Sequence, residues 1–189
     1  MPLPKSFYDR NPSDVAREML GKILVVNDQH IIKGRIVETE AYYGLSDPAS
    51  RAFKGKTKLS RWMWEDAGSS FVYMVHGYWL FNVITEREGK PSGVLIRAVE
   101  PVEGIEYMME RRGIKKLRNL TSGPGKLTIA FGISGKDNGM KVYDKSSRIF
   151  IDKGEERSFK ISTSGRIGVR EDLPEHLRFF IEGNKFVSR

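Results

Sequence analysis

Glu38 and Glu40 stand two residues apart in the run Ile36-Val37-Glu38-Thr39-Glu40-Ala41-Tyr42-Tyr43. The run alternates apolar and polar residues, the pattern of a strand, so both carboxylates leave it on one face. Two tyrosines follow at once. An acid held rigidly at a strand end beside aromatic rings could fix a water molecule against a flat substrate. The same two acids could instead be the solvent-facing residues of an amphipathic edge strand. Same-face neighbours on one strand lie about 7 Å apart, so a carboxylate pair acting on a sugar is a further option. Arg97 sits inside the apolar run Val94-Leu95-Ile96-Arg97-Ala98-Val99. A buried arginine needs a carboxylate partner, and Glu40 and Glu100 are the expected ones. The ring-dense segment 70–84 adds the polar tips of Tyr73, His76 and Asn82, which need partners if they are buried; plain core aromatics are the alternative.

Composition narrows the chemistry. There is no cysteine among the 189 residues, which excludes disulfides, thiolate nucleophiles and cysteine-ligated metals. His30, His76 and His176 are too scattered to read as metal ligands, and no lysine is placed to suggest a Schiff base. Neither a metal nor an organic cofactor is expected. The net charge of +8 and a pI near 9.6 favour a polyanionic partner, nucleic acid before a membrane surface. No apolar run reaches membrane-spanning length, and the start Met1-Pro2-Leu3-Pro4-Lys5 lacks a signal-peptide core. The expectation is a cytoplasmic monomer associated with nucleic acid, with no membrane contact and no obligate protein partner. Residues 44–69 form a long irregular stretch with Arg51, Lys54, Lys56, Lys58 and Arg61 and few acids. Such loops are usually functional, and the basic density suggests phosphate contact. Phe53, Trp62, Met63 and Trp64 argue against a merely solvated loop.

These residues must be positioned by elements that the sequence also outlines. Asn11-Pro12 starts a helix that stops near Gly21. Strands are expected over 22–26 and 31–40, then over the two halves of 70–84 with a bend at Gly77, then over 93–99. Pro101 is expected to open a helix to about Arg112, with Lys115, Lys116 and Arg118 as a basic linker. Ser122-Gly123-Pro124-Gly125-Lys126-Leu127 starts another helix that ends near Gly132, and its N-terminus could bind a phosphate. The full phosphate-loop pattern is absent. Further short strands are expected over 142–152, 157–163 and 178–182. No repeat or linker divides the chain, so residues 1–189 are expected to form one domain.

Taken in order, several segments resemble the alkyladenine (3-methylpurine) DNA glycosylase family. They are Val37-Glu38-Thr39-Glu40-Ala41-Tyr42, Phe71-Val72-Tyr73-Met74-Val75-His76-Gly77 with Asn82, Leu95-Ile96-Arg97-Ala98-Val99-Glu100-Pro101, Ser122-Gly123-Pro124-Gly125-Lys126-Leu127, and Arg166-Ile167-Gly168-Val169. The resemblance implies an α+β domain around a curved, mainly antiparallel sheet, a partly open barrel with flanking helices. It also implies a protruding β-hairpin that intercalates into DNA from the minor groove. The implied activity is repair of double-stranded DNA: a damaged purine is flipped out and its N-glycosidic bond hydrolysed, leaving an abasic site without strand cleavage. A non-catalytic basic nucleic-acid-binding module is the competing expectation.

The resemblance also assigns residues. Glu40 is similar to the general base, Arg97 to its partner on the water, and the Ile167 carbonyl to a third water contact. Tyr42 and Tyr73 resemble the rings that sandwich the base, and Asn82 the amide that screens out normal purines. His76 stands where the family usually places a tyrosine wedge, and Arg51 where it usually has a base-contacting histidine. The stretch Gly77 to Asn82 is one residue shorter than usual, and Lys58-Leu59-Ser60 replaces the usual Pro-Arg-Asn. Thr57 and Met63, with Lys54, Lys56 and Lys58, are expected on the DNA-facing loop. A cationic alkylpurine would gain roughly 0.5–2 kcal/mol from the rings, and Arg97 would keep Glu40 ionised.

Overall fold

The computed structural model describes residues 1–155 and 158–188. Asn11 caps a helix as its type and position require: its Oδ1 accepts from the Ser13 amide at 2.9 Å and Pro12 takes the first helical position. The helix, α2 (Pro12–Glu18), buries Val15 and Ala16. A single turn, α1 (Lys5–Tyr8), precedes it; nothing in the sequence had suggested that turn.

The strands are β1 (Ile23–Asn27), β2 (Ile31–Tyr42), β3 (Ser70–Val75), β4 (Tyr78–Thr85), β5 (Ser92–Glu103), β6 (Ile149–Asp152), β7 (Ile161–Ser164) and β8 (Arg178–Ile181). They form one curved antiparallel sheet in the order β3-β4-β5-β2-β1-β6. β2 is its trunk. One edge of β2 pairs with β5 along most of its length. The other edge is shared: residues 31–35 pair with β1 and residues 38–40 with β8, which β7 joins in turn. Helices α2, α3 (Ile105–Arg112) and α4 (Pro124–Phe131) pack on the sheet, so the α+β architecture expected from the sequence is the one observed. No helix among the described residues is long and apolar enough to cross a membrane.

Several expected boundaries move. Pro101 does not open a helix. β5 runs through it to Glu103, and α3 starts only after Gly104, whose φ of 73° breaks the extended chain. Pro101 is opposite Gly34 at a register shift, a place where a residue without an N–H is tolerated in a sheet. Of the expected strand 142–152 only Ile149–Asp152 is extended, because residues 143–148 form turns held by Asp144. The expected strand 157–163 becomes β7, with residue 157 outside the described set. The long basic stretch contains two 3-10 turns, Gly44–Ser46 and Ser60–Trp64.

Two apolar clusters divide the interior. The larger lies between the sheet and its helices and includes Met19, Ile36, Val99, Leu127 and Phe131. The smaller, built from Ala52, Met63, Phe71, Tyr73 and Ile84, fixes the basic stretch to β3 and β4.

Candidate active site and nucleic-acid interface

The β2–β5 ladder carries two irregularities. Ile36 pairs with Val99 and Glu38 with Ala98, which leaves Val37 as an extra residue; Thr39 pairs with Ile96, which leaves Arg97 as another. Bulges of this kind re-aim side chains. Here they bring Arg97 onto the face that carries both acids. Thr39 points the other way and donates from Oγ1 to the Ala16 carbonyl of α2 at 2.8 Å, so both faces of the strand are covered. The solvent-facing alternative for Glu38 and Glu40 is thereby corrected: each is 0 % exposed.

The two carboxylates have different surroundings. Glu38 Oε1 accepts from Arg97 Nε at 2.9 Å, Arg178 Nε at 2.7 Å and Ser188 Oγ at 2.8 Å, while Oε2 accepts from the Ser188 amide at 2.6 Å. A carboxylate offers about four acceptor positions, and four donors already engage Glu38, two of the three donor residues, Arg178 and Ser188, being absent from the lining of the cleft described below. The carbohydrate-type acid pair is excluded on that count. Glu40 Oε1 accepts from the Ile167 amide at 2.8 Å and pairs with Arg97 Nη1 at 3.3 Å; Oε2 accepts from the Tyr42 hydroxyl at 2.8 Å. Three donors for about four positions leave one acceptor site on Oε2. Arg97 therefore binds Glu38 first and Glu40 second. Glu100 is not its partner and accepts instead from Asn184.

Burial pushes the Glu40 carboxyl above its ordinary 4.5, although Arg97, the Ile167 amide and Tyr42 each pull it down. The net direction is opposite to that expected from Arg97 alone, because the desolvation of a fully enclosed acid outweighs one cation. Burial and the adjacent Glu40 push the Tyr42 phenol well above its ordinary value, so it remains a donor. Burial pulls the Arg97 guanidinium down, but Glu40 and Glu38 raise it more.

Tyr42 and Tyr73 both line a cleft of about 730 Å³ together with Arg51, His76, Arg97 and Ile167. A smaller hollow behind it adds Met63, Phe71 and Asn82. Tyr73 stacks on Phe71 with centroids 5.0 Å apart and carries the Arg51 guanidinium 4.9 Å above its ring. Asn82 anchors its Nδ2 on the carbonyls of Phe71 and Leu80 at 3.1 and 3.3 Å, which fixes the side chain at the hollow's wall. At the rim, His76 and Gly77 form the two-residue β3–β4 turn with φ values of 49° and 83°. Positive φ at both central positions is the hairpin geometry that follows strand twist, and it leaves His76 exposed at the tip between the exposed Met74 and Tyr78. Opposite that tip, α4 approaches so closely that a Cβ on Gly125 would lie 2.8 Å from Tyr78; only glycine fits there.

The loop residues separate. Lys54, Lys56 and Lys58 are exposed, with Lys56 Nζ 5.9 Å over the Trp64 ring. Thr57 holds the 3-10 turn by exchanging hydrogen bonds with Ser60. Met63 is buried at 3 % exposure in the smaller cluster. A phosphate contact for it is corrected to a place in the hollow's wall, since its neighbours there are Phe71 and Tyr73.

Arg166 escaped the sequence reading. Its Nη1 and Nη2 fork onto Asp47 at 2.6 and 2.8 Å, its Nε reaches Asp172 at 2.8 Å, and its Nη1 reaches the Ala41 carbonyl at 3.0 Å. Its guanidinium lies 4.5 Å from the Tyr42 ring centroid. It thus clamps the segment that presents the Ile167 amide to Glu40. The available signal was weak: one arginine in the run Arg166-Ile167-Gly168-Val169, with acids 119 positions before it and 6 after it.

Comparison with known sequences places the chain among relatives. A profile of the methylpurine-DNA glycosylase family matches residues 6–185. Provisionally named 3-methyladenine DNA glycosylases are similar over the whole chain. The protein of Clostridium acetobutylicum is 41% identical, covering 100% of this chain and 98% of its own length. That of Methanoculleus marisnigri is 40% identical, covering 100% of both. That of Aeropyrum pernix is 40% identical, covering 99% of this chain and 93% of its own length.

Proposed function

Since the chain belongs to the methylpurine-DNA glycosylase family, we propose that it flips a damaged purine out of duplex DNA and that Glu40 activates the water that releases it. Membership makes it a hydrolase of N-glycosyl bonds, a 3-methyladenine DNA glycosylase in DNA repair. The observation that carries the finer reading is the contrast between the two acids: Glu38 is saturated, while Glu40 keeps one acceptor position next to Tyr42.

A water in that position passes a proton to Glu40 as its oxygen bonds to C1′ of the deoxyribose. The N-glycosidic pair leaves with the base. Arg97 and the Ile167 carbonyl orient the water, and the ionised Glu40 stabilises the oxocarbenium-like sugar. Tyr42 and Tyr73 flank the extruded base, with Arg51 and Asn82 at its edges. His76 fills the space the nucleotide leaves, which offsets part of an unstacking cost of a few kcal/mol. Lys54, Lys56 and Lys58 meet the backbone. Chromatography of the bases released from a panel of lesion-bearing duplexes tests this directly. Release of 3-methyladenine or 7-methylguanine is expected, and binding without release of any base would favour the non-catalytic module.

Three smaller effects are expected. His76→Ala should slow single-turnover release by about tenfold, or about 1.4 kcal/mol of flipping cost, while undamaged duplex binds as before; an unchanged rate would remove the wedge role. The acid limb of the kcat profile should lie above the ordinary glutamate value of 4.5, because Glu40 must lose its proton and burial raises its pKa. Arg166→Lys loosens the Ile167 amide, one of the groups that pull that pKa down, so the limb should move to still higher pH. A limb that stays in place would show that Arg166 does not act through Glu40.

A further inference from the structure

Beyond the cleft, three concavities join end to end. The base-side cleft meets a shallow groove at Tyr78, Arg97, Pro124 and Gly125. That groove runs over Gly123 and meets, at Ser122 and Lys126, a polar hollow of about 250 Å³. The hollow is lined by Lys116, Arg118, Asn119, Ser122, Lys126 and Lys185. Lys116, Arg118 and Lys185 are exposed and none of the four cations has an ion-pair partner among the described residues. No acid lines the hollow. Some cations elsewhere on this surface are paired, as Arg10 is with Glu18, Lys33 with Glu103 and Lys160 with Glu182; what sets the hollow apart is that four cations unpaired among the described residues line one concavity. Four converging positive charges without a counter-ion raise the local potential for an anion, and no aromatic ring lines the hollow to stack a base.

We propose that this hollow is a backbone-binding site for the strand that leaves the cleft on one side of the flipped nucleotide. Lys116, Arg118 and Lys185 engage phosphates there. The site rests on the DNA reading above and adds to it a second basic arm, reached from the cleft by way of the α4 N-terminus and distinct from Lys54, Lys56 and Lys58. It makes the footprint asymmetric, since one flank of the lesion meets the loop and the other meets the hollow.

The test uses the full chain and its Lys116→Ser/Arg118→Ser/Lys185→Ser variant on duplexes with one non-hydrolysable abasic-site analogue. The duplexes are either full length or cut back to a few base pairs on one flank. Each lost contact lowers the slope of log Kobs against log salt by about 0.9, so the variant should lose roughly 2–3 units of slope on the full duplex. It should lose the same on the duplex trimmed on one flank and nothing on the duplex trimmed on the other. The Lys116→Arg/Lys185→Arg variant, which keeps the charges, should keep the parental slope. An unaltered slope on the full duplex overturns the site. Equal losses on both trimmed duplexes overturn it too, since that is diffuse attraction. If the parent itself fails to prefer the analogue over undamaged duplex, the glycosylase reading falls instead, and the slope comparison still reports on the hollow.

Discussion

Glu40→Gln is expected to fold, bind lesion-bearing duplex as well as the parent, and lose base release by about 10²–10⁴-fold, the usual contribution of a general base. The isosteric amide keeps its oxygen for the Ile167 amide and turns its NH₂ toward the Tyr42 hydroxyl, which can rotate to accept. Nothing large is left unpaired. Stability should move the other way from activity. The folded-state carboxyl has a raised pKa, so its ionisation is harder in the folded chain than in the unfolded one. That contribution to stability is fully present below about 4.5 and is lost as pH rises through the folded value. At neutral pH the parent carries a buried charge that the amide lacks, so the variant's Tm should equal or exceed the parent's. Single-turnover kinetics and thermal melts check the two halves. A variant with near-parental release would end the case for Glu40 as base.

Glu38→Gln is expected to do the reverse. Its oxygens take all four donors from Arg97, Arg178 and Ser188 in a place with no solvent. Neutralising it leaves Arg97 with only the longer Glu40 contact and Arg178 without its carboxylate. Removing one partner of a buried ionic cluster costs about 3–5 kcal/mol, a large part of the stability of a domain of this size. Denaturant unfolding should show a midpoint shift with little change in slope. The protein that remains folded at low temperature should keep a substantial fraction of the parental release rate, in contrast to Glu40→Gln. Equal stability of variant and parent would mean that the cluster relaxes or that water enters it.

Side by side, the two substitutions show why only part of the site was legible in the sequence. Glu40, Arg97, Tyr42 and Tyr73 were marked by residue type and short spacing, and the His76-Gly77 turn by its flanking strand patterns. Their elements follow from local rules: alternation in β2, the Asn11-Pro12 start of α2, the glycine after α4. Glu38 looked like a surface residue because its burial depends on β8 and Ser188, the latter 150 positions away. Alternation tells which residues share a face but not whether that face is covered. Arg166 was missed for the same reason, since its partner Asp47 is 119 positions earlier. Pro101 misled because a proline reads as a break, yet a bulge accommodates it inside β5. The direction of the Glu40 pKa required knowing that the acid is wholly enclosed, which one nearby arginine does not reveal.

The junction of β2 with β8 has a consequence for the protein's biosynthesis. Residues 38–40 acquire their second edge only from residues 178–180, and Glu38 its last donors only from residue 188. A nascent chain on the ribosome can assemble β1 to β5 while its acid cluster still lacks Arg178 and Ser188. Until residue 188 emerges, Arg97 is held by Glu38 and Glu40 alone, without the Ser188 hydroxyl that its Nη2 also engages. Chains shortened before residue 178 should therefore carry a less firmly held acid cluster than the chain that includes β8 and Ser188.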